Sequence, residues 1–197
     1  MTQGARWVYW AVLAAGFLLL LRLNLPGHLT VDSVLALHEG RFGVRTTWNP
    51  AIFGWLLGVL DRITPGTALA VALSGLLIFG GWAVMALARP RTTWIAPVLA
   101  LGVIALPQAM IYPAIVWKDV LFAGCALAGF VALAVGLRRG RRPWVSLSLA
   151  ALLFAVAGLL RQNGLILALP AALAVAWALS AAGWKRSLGL AAGWLVA

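Results

Sequence analysis

Long apolar runs separated by short polar connections make up most of this chain. Six of them approach the roughly 20 apolar residues that an α-helix needs to cross a bilayer, and they are residues 7–25, 66–88, 93–112, 115–137, 144–160 and 165–182. A seventh run, 187–197, is too short to cross, so we expect the sequence to stop inside a helix. The pattern predicts an all-α fold: a polytopic transmembrane helical bundle with six spans plus a truncated seventh, forming a single transmembrane domain over residues 1–197.

The connection between the first two runs, residues 26–65, is much longer than a helix-to-helix turn requires. Thr30 can cap a short helix over 32–38, with an apolar face that includes Val31, Val34 and Leu35. A similar apolar pattern recurs over 50–60. We therefore expect this external loop to contain two interfacial helices that rest on the membrane surface.

Composition excludes a water-soluble domain. Hydrophobic residues make up 64% of the chain and the mean hydropathy is +1.02, whereas soluble domains are nearer half apolar. In a soluble protein the net charge of +11 would suggest nucleic-acid binding. Here the basic residues fall in short connections between apolar runs, where membrane topology explains them. No nucleic-acid partner is expected.

The charges also predict an orientation for a multi-pass protein of the cell membrane. Basic residues without acidic neighbours recur at alternate span ends, and the positive-inside rule makes these ends cytoplasmic, together with the N-terminus. These residues are Arg6, Arg89, Arg91, Arg138, Arg139, Arg141, Arg142, Lys185 and Arg186. The outer face then holds all four carboxylates of the chain, Asp32, Glu39, Asp61 and Asp119. We therefore expect the polar chemistry outside.

Asp32 lies at the start of the first loop helix. Its carboxylate could serve the helix alone, since an acid in the first turn meets free amides and the positive end of the helix dipole. It could instead act as a general base that deprotonates an acceptor hydroxyl, because cations lie on the same face. The two roles are compatible in one residue.

Lys118 and Asp119 stand where the fourth span begins on the outside. Asp119 suits a helix N-terminus, whereas Lys118 opposes the helix dipole there and borders hydrocarbon. Lys118 could simply extend toward the lipid headgroups. It could also hold an anion, most simply a lipid phosphate.

Residues 161–164 connect the fifth and sixth spans on the same outer face. They form a good helix stop, with Arg161 in the last turn and Asn163 or Gly164 suited to the left-handed cap conformation. Arg161 is also an arginine on the face that disfavours basic residues, and a guanidinium binds phosphate through two parallel donors. Both roles stay open.

Two other polar groups are not expected to act in chemistry. His28, His38 and Glu39 lack a recognised metal-ligand spacing, so we do not expect them to bind a metal ion. Asp61 and Arg62 are consecutive, and we expect them to form a local, exposed ion pair.

Together these segments resemble the GT-C superfamily of membrane glycosyltransferases, which use polyprenyl-phosphate-linked sugars as donors. The matching pieces cover essentially the whole chain, and they are Asp32 with Ser33, the segment 46–50 (Thr-Thr-Trp-Asn-Pro), Lys118 with Asp119, and residues 161–164. One departure is Asn49, because many relatives carry histidine before this proline, so a histidine-dependent role is not expected here. Relatives are also much longer, which implies that the chain is an N-terminal fragment.

The resemblance implies transfer of a sugar from a polyprenyl-phosphate donor to a glycan, lipid or protein acceptor of the cell envelope, at the outer face of the cytoplasmic membrane. It assigns catalysis to Asp32 and substrate binding to Ser33, Asn49, Lys118, Asp119, Arg161 and Asn163. Membrane lipid is a further partner, no cofactor is certain, and a divalent metal is left open. The alternatives are a transporter or flippase of a lipid-linked anion and a non-catalytic membrane subunit.

Overall fold

The computed structural model describes residues 3–88, 92–139, 143–161 and 165–180. This part of the chain is helical and contains no strand, so the all-α prediction is confirmed for it. The α-helices are α1 (Gln3–Asn24), α2 (Val31–Phe42), α3 (Ala51–Ile63), α4 (Ala68–Gly75), α5 (Gly81–Ala88), α6 (Ile95–Ile104), α7 (Pro107–Ile111), α8 (Lys118–Arg139), α9 (Pro143–Leu160) and α10 (Leu165–Ser180). A π-helical segment, Leu76–Gly80, joins α4 to α5, and a 3-10 turn, Tyr112–Ala114, follows α7.

Three helices of the described chain are long and apolar enough to cross a membrane. They are α1, the continuous helix Ala68–Leu87 that runs through α4 and α5, and Lys118–Gly136 within α8. Each coincides with a predicted run. Helices α9 and α10 are also apolar, but at 18 and 16 residues they are shorter than the usual crossing length of about 20.

The predicted span over 93–112 is not one straight helix. Ile95–Ile104 and Pro107–Ala114 are bent by 77° relative to one another. The break occurs because Pro107 lacks a backbone N–H and forces Leu106 into an extended conformation, with φ −76° and ψ 124°. The described chain therefore has three candidate spans, or four if the bent pair counts as one. The seventh run, 187–197, lies outside the described residues.

The helices pack around an apolar core. Helix α8 lies along α9 and α5, and α1 lies along α6. Leu20, Val71 and Leu160 are fully buried in this core. The outward faces carry exposed apolar side chains such as Leu18 and Leu99. Apolar surface of this extent marks a membrane-facing protein.

The two predicted loop helices are present as α2 and α3, which cross at very short range. A Cβ atom on Gly40 would overlap the carbonyl oxygen of Gly54 and lie 2.7 Å from the backbone nitrogen of Gly58. Small residues allow two helix backbones to approach this closely. The glycines therefore fix where α3 lies against α2.

Helix α2 has the predicted cap. The Thr30 side chain accepts from the Ser33 backbone, and the Ser33 side chain accepts from the Thr30 backbone, which is the reciprocal capping box. The helix ends at Gly43, whose φ of 67° lies in the left-handed region that glycine adopts without strain. The chain then reverses toward α3.

Candidate functional site

A short parallel bridge ties the first loop to the start of α8. The backbone N–H of Val116 donates to His28 O at 3.0 Å, and the Ser33 hydroxyl donates a short hydrogen bond to Val116 O. The Trp117 indole N–H donates to Thr30 Oγ1 at 3.0 Å. These contacts hold the N-terminus of α2 beside the N-terminus of α8.

Three predicted site residues from separate segments meet at this junction. Lys118 Nζ donates to Asn49 Oδ1 at 2.8 Å and lies 3.9 Å from Asp32 Oδ2. Asn49 Nδ2 donates to the main-chain oxygen of Asp32 at 3.4 Å. We call Asp32, Asn49 and Lys118 the lysine cluster.

The cap of α2 does not use the Asp32 carboxylate, because Thr30 and Ser33 fill that role. The Asp32 side chain is 51% exposed and faces Lys118. The Lys118 side chain is only 23% exposed, so its ammonium group is held against the protein instead of extending freely to the headgroups. The cluster therefore combines an accessible carboxylate with a largely covered cation.

A second cation–carboxylate pair involves Asp119, which follows Lys118 in the first turn of α8. Arg161 Nε lies 3.1 Å from Asp119 Oδ1, and the guanidinium carbon lies 5.9 Å from the centre of the Phe122 ring. The end of α9 thereby places its cation against the first two turns of α8, beside Asp119 and Phe122.

Ser33 and Asn49 are more deeply buried than Asp32 and Lys118. Ser33 is fully buried, and its hydroxyl contacts Thr30 and Val116. These contacts join α2 to the segment before α8, and a contact between Ser33 and substrate stays a prediction. Asn49 is 1% exposed. Its side-chain oxygen accepts the hydrogen bond from Lys118. Asn163 lies outside the described residues.

Glu39 has a structural role that the sequence did not suggest. Its Oε1 accepts four hydrogen bonds, from the backbone N–H groups of Thr46 (2.7 Å) and Thr47 (2.6 Å) and from their hydroxyls (3.2 and 2.9 Å). Burial tends to raise the pKa of this carboxyl, but these hydrogen bonds outweigh burial and lower it below its usual value. Two threonines seven and eight residues after an acid were the signal available in the sequence.

The predicted exposed pair of Asp61 with Arg62 is wrong. Asp61 is 9% exposed and pairs with Arg41 across the α2–α3 crossing, with Nε–Oδ2 and Nη2–Oδ1 distances both 2.6 Å. The hydrogen bonds from Arg41, together with one from the Gly66 N–H at 2.7 Å, lower the pKa of Asp61 to about 2. Consecutive helical residues point in directions about 100° apart, so Arg62 faces away.

An apolar cavity lies apart from this junction. A cavity of about 410 Å³ between α1, α5 and α6 is lined by apolar side chains such as Leu13, Trp82 and Leu99, and it lies toward the N-terminal half of α1, away from Asp32. In the part of the chain that the structure describes, no three His, Cys, Asp or Glu side chains converge to hold a metal ion.

Comparison of the chain with models of known protein families, with curated proteins and with solved structures finds no match.

Proposed function

We propose that this chain is a membrane glycosyltransferase of the GT-C type, which transfers a sugar from a polyprenyl-phosphate donor to an acceptor at the outer face of the cytoplasmic membrane. The lysine cluster carries the proposal. It sets a half-exposed carboxylate 3.9 Å from an ammonium group at the ends of apolar helices. Transfer from a lipid phosphate needs both groups together, a base for the acceptor hydroxyl and positive charge for the departing phosphate.

The proposed roles follow from this chemistry. Asp32 takes the proton of the acceptor hydroxyl while the oxygen of that hydroxyl bonds to the sugar. The bond between the sugar and the phosphate oxygen breaks, and negative charge develops on the phosphate that leaves. Lys118 and Arg161 stabilise that charge. Each cation lies beside a carboxylate, Asp32 or Asp119, which reduces the cost of its charge next to hydrocarbon.

The proposed setting is a six-span bundle with a cytoplasmic N-terminus, in which the bent pair, α9 and α10 complete the crossings. Helices α2 and α3 lie on the outer membrane surface. Exposed apolar residues on the loop support this placement, including Val31, Val34, Trp48 and Trp55, since aromatic and apolar side chains anchor interfacial helices. The donor's lipid tail can then stay in the bilayer while its phosphate reaches Lys118. The acceptor is a glycan, a lipid or a protein.

Replacing Asp32 by Asn in the full-length protein tests the base. We expect transfer from a labelled polyprenyl-phosphate sugar in proteoliposomes to fall by about 100-fold or more, because loss of a general base has effects of this order. The matched control is Arg62→Gln, which changes an exposed charge in the same loop outside the cluster. Near-normal turnover by the Asp32→Asn protein would contradict the proposal.

The bend at Pro107 favours a second candidate, a transporter or flippase of a lipid-linked anion. Helix α6 has 10 residues and is therefore about 15 Å long, which is half of the roughly 30 Å hydrocarbon core. Helices that break near mid-membrane are typical of transporters. Movement of a labelled polyprenyl phosphate across proteoliposomes, without sugar transfer, would favour this candidate. A non-catalytic subunit would give neither activity.

A further inference from the structure

We infer that Glu39 is a positioning residue, which fixes the Lys118 ammonium beside Asp32. Glu39 acts on residues that the proposed reaction uses, and the inference therefore rests on the proposed function. The Glu39 side chain is 4% exposed, so it does not act by touching a substrate. Its effect passes through the loop segment 46–49 in three steps.

The first step is the attachment of the loop to α2. One Glu39 oxygen accepts four hydrogen bonds from Thr46 and Thr47. Hydrogen bonds to a charged acceptor are about twice as strong as neutral ones, and removing this oxygen would leave four donors without their acceptor. Glu39 therefore holds both backbone and side chains of this turn.

The second step links Thr47 to Asn49. The Thr47 hydroxyl donates its one proton to Glu39 and accepts the Asn49 backbone N–H at 3.2 Å. The Arg45 guanidinium donates to the Asn49 backbone oxygen, also at 3.2 Å. The Thr46 hydroxyl donates to the same Glu39 oxygen, but the hydrogen bond to Asn49 is made by Thr47. The two threonines therefore form a matched pair for an experiment.

The third step links Asn49 to Lys118. The Asn49 amide presents its oxygen to Lys118 Nζ at 2.8 Å and its nitrogen to the Asp32 main-chain oxygen at 3.4 Å. A flipped amide would turn donors toward an ammonium group that has only donors, so the orientation is fixed. The flexible lysine side chain depends on this acceptor for its location. Loss of Glu39 should therefore change the position of the Lys118 ammonium group.

The sequence offers a direct probe of this link, because the chain has only two lysines, Lys118 and Lys185. We propose to measure the rate at which a water-soluble amine-acylating reagent modifies Lys118 in the purified protein. Modification is read by mass spectrometry, with Lys185 as the internal reference. Sugar transfer is measured on the same samples.

Glu39→Ala and Thr47→Val should raise the Lys118 acylation rate about threefold or more, since the ammonium group loses its fixed contacts. Both should lower kcat/KM for transfer by about 10- to 100-fold, as expected when a reacting group is displaced by about 1 Å. Thr46→Val should have less than half the effect of Thr47→Val. Glu39→Gln keeps an acceptor oxygen and should bring acylation back to within about twofold of wild type.

The outcomes separate the positioning role from the proposed function. Unchanged Lys118 acylation in folded Glu39→Ala and Thr47→Val proteins overturns the inference, whatever the transfer assay gives. If Glu39→Ala does not fold, equal effects of Thr46→Val and Thr47→Val overturn it. A wild-type protein that transfers no sugar removes the proposed function, while the acylation rates still decide whether Glu39 positions Lys118.

Discussion

At the residue scale, the four carboxylates divide into two kinds. Glu39 and Asp61 are buried, and their oxygens are used by the loop and by the α2–α3 crossing. Asp32 and Asp119 are about half exposed, and each faces one cation. Only the exposed pair can meet a substrate without a change in the fold. The acidic residues thus have different roles because their burial differs.

The ion pair between buried Asp61 and half-exposed Arg41 should make stability depend on pH in the acid range. The folded-state pKa of Asp61 is about 2 and its ordinary value is 3.8, so the unfolded chain binds more protons between these values. The stabilisation is complete above about pH 4 and is lost as the pH falls through about 2. We expect the melting temperature of detergent-solubilised wild type to drop between pH 5 and pH 2, and to drop less in Asp61→Asn.

Glu39, whose pKa is also lowered, contributes equally to both proteins and does not disturb this comparison. Arg62→Gln should keep the wild-type pH profile, because Arg62 is not the partner of Asp61. Parallel profiles for wild type and Asp61→Asn would show that the Arg41 pair does not contribute to stability.

Local patterns in the sequence predict the Thr30 cap, because its partner Ser33 is only three positions away. The contact between Lys118 and Asp32 joins two residues that share a predicted membrane face. The pairing of Asp61 with Arg41 joins positions 20 residues apart. It depends on the angle at which α2 crosses α3, and no local pattern contains that angle.

At the element scale, the glycine crossing of α2 and α3 makes a sharp prediction. Gly58→Ala would bring a methyl group against the Gly40 backbone, and backbone cannot move aside without separating the helices. We expect a loss of about 1–3 kcal/mol in stability, measured as a lower melting temperature in detergent.

Gly102→Ala in α6 is the matched control, since a Cβ there meets no atom within 4 Å. Alanine is the better helix former, so this change should leave the melting temperature unchanged or raise it slightly. Equal behaviour of the two variants would contradict the close crossing.

Element positions were predicted better than element continuity. Hydropathy averaged over 93–112 predicts one span because most residues on both sides of the break are apolar. Pro107 was visible in the sequence, but a proline at this depth can either kink or end a helix. Which one occurs depends on the neighbours, and here the Asn24 side chain donates to Met110 O at 3.1 Å, supporting the chain beyond the break.

At the scale of the whole molecule, the proposed orientation can be tested with the same two lysines. In sealed cells, a membrane-impermeant amine reagent should modify Lys118 and spare Lys185 until the membrane is permeabilised. The proposed orientation requires this result, because it puts Lys118 on the outer side of the membrane and Lys185 on the cytoplasmic side. Modification of Lys185 in sealed cells would reverse the orientation and the proposed location of the site.

The hydrogen bond between Asn49 and Lys118 also has a consequence for synthesis. The two residues are 69 positions apart, and a ribosome adding about 5–20 residues per second needs roughly 3–14 s to make that stretch. During this interval Asn49 cannot form its hydrogen bond to Lys118, because that lysine has not yet been added to the chain. The contacts between the first loop and the start of α8 can therefore form only after the start of α8 has been synthesised.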